Sequence, residues 1–436
     1  MTHVFSRACA FVLFACPSLT LRAQNASAAP PTQLAPVVVQ GRDTDLLGVA
    51  SSASQGIVGA MELDARPFLR RGELLEVIPG VVITQHSGNG KANQYFLRGF
   101  NLDHGTDFAL TVDGLPVNMR SHAHGQGYAD LNFLIPEVVQ QVDYNKGPFY
   151  AEVGDFSAAG AAQFRLMDAI SRPFVKIGLG ENNFARFAVG GSQTFASGAL
   201  TGALEVAPDD GPWLLKEDGN RFNGYVRRTW RSAAADYRLT GMVYRGKWQS
   251  TDQIPLRAVQ AGTLNRFANI DPTDGGESER ASVSLDATWR GASATTQLNT
   301  YALFYGLNLF SNFTYFLDDP VDGDQFNQRD RRWVIGGALQ RTWTRAAGFT
   351  RGETTLGVQG RMDFIGELGL HRTVRRARLS NVRDDEVDEG SLGLFARHET
   401  RWNEWLRSTS GIRVDGFRFN VDSDDPRNSG TKLADI

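Results

Sequence analysis

The sequence is short of cysteine, of lysine and of long apolar runs, and each shortage excludes something. Its two cysteines, Cys9 and Cys16, both lie at the start of a 436-residue chain. They fall in MTHVFSRACAFVLFACPSLTLRAQNASAAP, where an early arginine precedes the apolar run Ala8–Ala15 and then small residues. That order reads as a secretory leader, residues 1–28, too short for a spanning helix. Cleavage is expected after Ala28, with Ala23 as the other site. A lipoprotein box at Leu13–Cys16 is a rival that bulky Phe14 fits poorly. Cut at Ala28, the chain keeps no thiol for disulfides, zinc or nucleophilic catalysis. Only six of the 45 basic residues are lysine, which reads as genome composition, and 48 acidic residues leave a net charge of −3. A nucleic-acid binder would need a basic surface. A mean hydropathy of −0.28 leaves no room for a bundle of membrane helices. It does not exclude a transmembrane β-barrel, whose strands are only half apolar. There is no Gly-x-Ser-x-Gly elbow and no phosphate-binding loop.

Three textures follow the leader. Residues 29–49 begin PPTQLAPVVVQGRDTD, an extended arm with one apolar patch, Val37–Val39. Residues 50–168 read as a mixed α+β domain. Gly72–Gly80 predicts a short helix stopped by Pro79-Gly80. Phe108–Val112 predicts a strand entering a turn at Asp113-Gly114. Leu131–Val139 predicts a helix around Pro136, and Gln140–Asn145 a further strand.

From 169 to 436 the pattern alternates with period two. Ala281, Val283, Leu285, Ala287 and Trp289 oppose Ser282, Ser284, Asp286, Thr288 and Arg290, and 356–364 and 391–397 behave alike. A soluble sandwich alternates in the same way. Two details favour a membrane barrel. Trp230, Tyr244, Trp248, Trp289, Trp333, Trp343, Trp402 and Trp405 gather near strand ends like an interfacial girdle. The connectors 208–221, 317–332 and 371–390 are long and charged. A slip of phase at Asp415-Gly416 predicts a bulge or turn. At roughly ten residues per strand plus connectors, about ten to twelve strands fit. An open barrel would expose sheet edges to lipid, so the expectation is a partial barrel in a longer protein.

Ordered motifs in 34–168 carry a resemblance. They are Leu34–Arg42 (LAPVVVQGR), Leu74–Val81 (LLEVIPGV), Gln94–Phe100 (QYFLRGF), Val112–Val117 (VDGLPV), Val142–Pro148 (VDYNKGP) and Tyr150–Gly154 (YAEVG). Together they resemble the TonB box and plug domain of TonB-dependent outer-membrane receptors. The resemblance implies an α+β plug followed by a transmembrane antiparallel β-barrel, 22 strands in the full protein and about half of them here. It implies energised uptake of a scarce ligand, such as an iron–siderophore or a metal ion, with no covalent chemistry and no cofactor. The implied surroundings are outer-membrane lipid, an extracellular ligand, and TonB with its inner-membrane energising complex. Pro36, Val37, Val38, Val39 and Gln40 would meet TonB, since a valine-rich segment can add a strand to a partner's sheet edge; a plain first strand is the bland reading. Arg98, beside Gly99, suits a buried ion pair with barrel carboxylates, or else a surface position. Asp113, Gly114, Gly147 and Pro148 fit turns.

Four histidines, His86, His104, His122 and His124, lie in 86–124. In the resembled family the segment after the VDGLPV stretch faces outward. His122-Ala-His124 on an extended strand would put both rings on one face, a spacing suited to one metal ion. Met119 could add a soft donor, and Asp103, Asp107 and Asp130 could complete the shell. Met119, His122, His124 and Tyr128 are therefore the expected ligand contacts, with organic-ligand contact and a purely structural role both open. Two other classes compete. A passive porin or adhesion barrel would have no use for a plug. A metal-dependent hydrolase using His122 and His124 would need further ligands in a β/α barrel.

Overall fold

Two kinds of strand pattern give two kinds of sheet. The computed structural model describes residues 49–85, 89–249, 252–347 and 350–435. The leader, the arm with Pro36–Gln40, and His86 lie outside them. The inner domain contains β1 (Val49–Ser52), β2 (Gln55–Gly59), a short helix α1 (Ala60–Asp64), β3 (Val81–Thr84), β4 (Gln94–Leu97), β5 (Phe100–Asn101), β6 (Phe108–Val112), β7 (Leu115–Pro116), β8 (Val139–Lys146) and β9 (Gly160–Leu166). A six-stranded sheet runs β1-β2-β8-β9-β6-β7, and β3-β4-β5 form a second. Leu74, Leu75, Ile78, Leu110, Val142 and Phe164 are buried between them.

Both helices expected here are shorter than the sequence predicts. The first is a single 3₁₀ turn, Arg71–Leu75, and the second is three residues, Pro136–Val138. Pro136 lacks an N–H and pushes Ile135 into extended backbone, so no helix can run through it. The hairpin β6–β7 forms as expected. Asp113 (φ 48°) and Gly114 (φ 80°) take left-handed conformations, which a two-residue turn requires.

The outer sheet has twelve antiparallel strands, each beside its chain neighbour: β10 (Phe174–Leu179), β11 (Ala185–Phe195), β12 (Gly198–Asp209), β13 (Gly219–Arg231), β14 (Asp236–Gln249), β15 (Gly275–Arg290), β16 (Ala294–Ser311), β17 (Phe326–Ala347), β18 (Thr350–Val374), β19 (Ala377–Arg401), β20 (Arg407–Ser423) and β21 (Gly430–Asp435). Turns are short at one end (232–235, 291–293, 402–406) and longer at the other (210–218, 312–325). A second short helix, α2 (Leu256–Gln260), sits in the long connection after β14. Outward residues such as Ile177, Leu204, Val226, Leu339 and Ile412 are exposed, as a lipid-facing band requires. No helix among the described residues is long and apolar enough to cross a membrane.

Three expectations need correction. Residues 371–390 are not a connector. They are the facing ends of β18 and β19, joined by two residues, Arg375-Arg376. Strands of 25 residues far exceed the roughly 9–11 that cross a bilayer, so this hairpin projects beyond it, where both faces can be polar. Second, β20 pairs with β19 in unbroken register through Asp415-Gly416. Phe417 and Phe419 point inward with Arg413 and Asp415, and the Arg120 guanidinium lies 5.4 Å from the Phe417 ring. Third, Tyr244 and Trp248 are buried inside the barrel. The girdle stands at the short-turn end, where Tyr237 lies 5.1 Å from Trp230 and 6.4 Å from Trp289.

Candidate functional site: the histidine loop and the plug–wall contacts

After β7 the chain leaves the sheet and makes a loop closed by a bridge between Met119 and Tyr128. Asn118 fixes its base. The side-chain amide donates to the carbonyls of Gly105 (2.9 Å) and Phe108 (3.0 Å) and accepts from Leu110 N–H (2.7 Å). The barrel wall grips the loop's backbone. Arg361 donates to the Asn118 carbonyl (2.9 Å), Gln328 to the Ala123 carbonyl (2.7 Å), and Arg332 to the Ser121 carbonyl. Gln328, Asp330 and Arg332 sit near the start of β17, so the loop lies toward the long-connection end of the barrel.

The loop is not an extended strand, and it does not place His122 and His124 on one face. His122 is buried and stacks flat on Tyr128, with ring centres 4.1 Å apart. Its Nδ1 accepts the His124 backbone N–H at 3.1 Å, and its Nε2 meets the Tyr305 hydroxyl at 3.2 Å. His124 turns the other way, so that its Nε2 stands 3.2 Å from Nε2 of His104. Burial, the largest cause for each, lowers the pKa of His104, His122 and His124, and Arg332 adds to it at His122. All three imidazoles are therefore neutral near pH 7. Met119 and Tyr128 are each 1% exposed and form the floor of this site, not its surface. Among the described residues, no group of three or more His, Cys, Asp or Glu side chains is arranged to hold a metal ion. Asp107 is a turn residue at φ 63°. Asp130 is buried, and its Oδ1 accepts the Asn132 N–H at 2.8 Å.

Arg98 is exposed, in the left-handed turn with Gly99, and does not make the expected buried ion pair. Its predicted role falls to other residues. Plug Arg71 pairs with barrel Glu205, both side chains fully buried. Glu205 also binds Arg186 at 2.7 Å, and Arg186 reaches plug Glu137 at 2.7 and 2.8 Å. Asp113, expected only as a turn residue, receives the guanidinium of barrel Arg227, which also bonds the Leu166 carbonyl (2.8 Å) and Asp168 (3.1 Å). Gly147 takes φ 94°, followed by exposed Pro148. A cavity of about 490 Å³ runs along the plug–wall boundary, lined by Asp113, Arg120, Glu152, Asn299, Arg361 and Arg413 among others. The barrel partners Gln328, Asp330, Arg332, Glu205 and Arg227 escape sequence reasoning, because nothing local marks a strand residue that meets a loop a hundred or more positions away.

A mixed domain seated against a strand wall with an apolar outer face defines a plugged transmembrane β-barrel. Residues 48–161 match the TonB-dependent Receptor Plug Domain. Residues 48–161 are thus a plug domain of the TonB-dependent receptor type, and the strands after it share the fold of barrels in solved structures. Among these the chain is similar to the ferric citrate transporter FecA in its unliganded form (TM-score 0.70, 14% identity, covering 88% of this chain and 58% of that one). It is also similar to the copper transporter OprC (0.67, 15%, 89% and 60%) and to the siderophore receptor PiuA from Acinetobacter baumannii (0.67, 12%, 88% and 60%). The chain thus spans about three fifths of the length of these structures.

Proposed function

We propose that this protein carries out TonB-dependent uptake of a metal-related ligand across the outer membrane of a Gram-negative cell. The observation that carries the reading is the nature of the plug–wall boundary. Beside the apolar contacts that plug residues such as Met119 and Phe133 share with barrel Tyr244 and Tyr305, it carries ion pairs, carbonyl contacts and a polar cavity. Where a shift of the plug lets water from the cavity replace the lost partner, such polar contacts are exchanged at modest net cost, whereas a pair broken without water entry is not; the plug is seated but movable by a pull. The likeness to a ferric citrate transporter, a copper transporter and a siderophore receptor supports a metal-related cargo. In this scheme Pro36–Gln40 pair with an edge strand of TonB, and the pull is transmitted to the plug. The work is movement, with no bond made or broken in the ligand. The loop holding Met119, His122, His124 and Tyr128 is the proposed ligand-side element. Double replacement of His122 and His124 with alanine is expected to lower uptake severalfold.

The test is uptake by cells carrying the complete gene, with and without residues 34–42, offered ferric siderophores, copper and zinc separately. Loss of one uptake on deletion supports energised transport and names the cargo. Uptake indifferent to the deletion sinks it in favour of a passive barrel.

A further inference from the structure

The outer face of the barrel changes character within one step along its strands. Strand pairing sets Val243, Ala281, Phe304, Trp333 and Phe364 in a single row across β14–β18. They lie on the outer face, since their neighbours Tyr244, Arg280, Tyr305 and Arg332 are buried within. Trp333 is 54% exposed, and its ring centre is 5.3 Å from that of Phe304. Two residues nearer the long connections, or three in β18 where the register shifts, the next outward row reads Arg245, Glu279, Gly306, Arg331 and Glu367. That step is about 7 Å along a strand. The row beyond it holds Lys247, Glu277, Asn308 and Arg329.

An apolar and aromatic row suits hydrocarbon, whereas charged side chains facing hydrocarbon are costly. On β17 the edge of the outer leaflet therefore falls between Trp333 and Arg331. Arg331 marks that edge, with its guanidinium 5.7 Å from the centre of the Phe304 ring. Two of the four cations are matched within the wall: Arg245 lies 3.8 Å from Glu277, and Arg329 lies 2.9 Å from Glu367. Among the described residues, Arg331 has no ion pair. The interleaved glutamates keep the band from being uniformly basic, which argues against a nucleic acid or another long polyanion along it. A soluble anion would make no use of the apolar row, and a protein reaching that row would have to enter the bilayer. An amphiphile meets both rows at once, its acyl chain on Phe304 and Trp333 and its anion about 7 Å away at Arg331. A guanidinium matches phosphate in geometry as well as charge.

We propose that Arg331 and Arg329, above the aromatic pair Phe304 and Trp333, form a binding position for the phosphorylated headgroup of an outer-leaflet lipid whose acyl chain lies along the apolar row. Arg331 is the primary contact. Arg329, one step farther out on the same strand and shared with Glu367, is the second. The position goes beyond the transport reading and does not depend on what the plug admits.

The test is titration of the full-length protein, purified in detergent, with lipid A and with the same lipid stripped of its phosphates, binding being read by native mass spectrometry. Lipid A should bind at least about tenfold more tightly. Arg329→Gln combined with Arg331→Gln should remove that preference, and the two lysine replacements, which keep the charge, should restore part of it. Trp333→Ala should weaken both lipids. Arg427→Gln, at an exposed arginine in the β20–β21 connection, should change neither. Inorganic phosphate at the lipid's concentration should leave lipid A bound; displacement would assign the arginines to a soluble anion and overturn the lipid position. Equal affinity for the two lipids in the unmodified protein, or a phosphate preference that survives the double substitution, would overturn it as well. The comparison on unmodified protein keeps the test decisive if a variant misfolds.

Discussion

Asp113 serves two purposes at one position: its backbone turns the β6–β7 hairpin, and its carboxylate holds barrel Arg227. The two separate experimentally, because asparagine, like aspartate, can take the left-handed conformation while removing the charge. Asp113→Asn should leave the turn intact and leave a buried guanidinium that keeps Thr240, the Leu166 carbonyl and Asp168 but loses its buried carboxylate. Breaking a buried pair costs about 3–5 kcal/mol, and the surviving partners place the loss near the lower end, about 3 kcal/mol. A chemical-unfolding midpoint indistinguishable from the parent would show that the pair does not hold the plug. A second residue sets a pH dependence. Burial raises the Asp130 carboxyl to about 6, against the opposing Asn132 N–H and Arg280. Between its unfolded value of about 4 and its folded value the native state keeps a proton the unfolded chain has lost. Stability from this group is thus fully present below about pH 4 and falls as pH rises toward 6. Asp130→Asn should flatten that slope in unfolding curves taken from pH 4 to 7; an unchanged slope would assign it elsewhere. The sequence made the turn role of Asp113 legible, since a strand followed by Asp-Gly has one common outcome. Its ion pair was not legible, and Arg98 was assigned the pairing that Arg71 and Asp113 make. Which plug residue meets a barrel charge is decided by the docking of two domains, and no local pattern records that.

The hairpin of β18 and β19 shows where pattern reading stops working for a whole element. Within the membrane-crossing part, alternation is plain: Leu356 and Phe364 face out, and Asp363 is fully buried inside. Beyond the bilayer the outward face no longer needs apolar residues, so 371–390 looks like a charged connector while remaining paired strand. The inward side still betrays it, since His371, Thr373, Asp385 and Glu389 are buried. Hydrogen bonding, not apolar contrast, carries the strand there, and sequence shows hydrogen bonding poorly. The tip adds strain, because Arg375 and Arg376 sit at φ 48° and 65°. Arg376 has a reason to be there: its guanidinium donates to the carbonyls of Thr273 (2.6 Å) and Asp274 (2.9 Å). Arg375→Gly should therefore stabilise the hairpin by about 1 kcal/mol, whereas Arg376→Gly should gain less or lose. Hydrogen exchange at the tip of β18 and β19 would measure both. Equal effects of the two substitutions would mean that the Arg376 contacts contribute nothing.

Taken as one machine, the molecule joins a wall stiffened by strand-to-strand hydrogen bonds to a plug attached through side chains. Force applied at the arm should therefore be relieved at the plug–wall boundary before it disturbs the wall. That boundary can be locked. A Cβ built on barrel Gly411 stands 2.8 Å from the plug Ala151 Cβ, about 1 Å inside the usual disulfide spacing, so the two segments must part by that much to accept the bond. Residues 29–436 contain no cysteine, so Ala151→Cys with Gly411→Cys introduces a single pair of thiols into that stretch. Oxidised, the variant should keep its ligand affinity at the outer face and lose uptake; reduction should restore uptake on the same cells. The reversibility separates a locked plug from a damaged one, since misfolding would not be repaired by a reductant. Full uptake with the disulfide demonstrably formed would mean that the plug passes its cargo without moving at residue 151. The route would then lie along the cavity between Arg120 and Arg361, through a plug that stays in place.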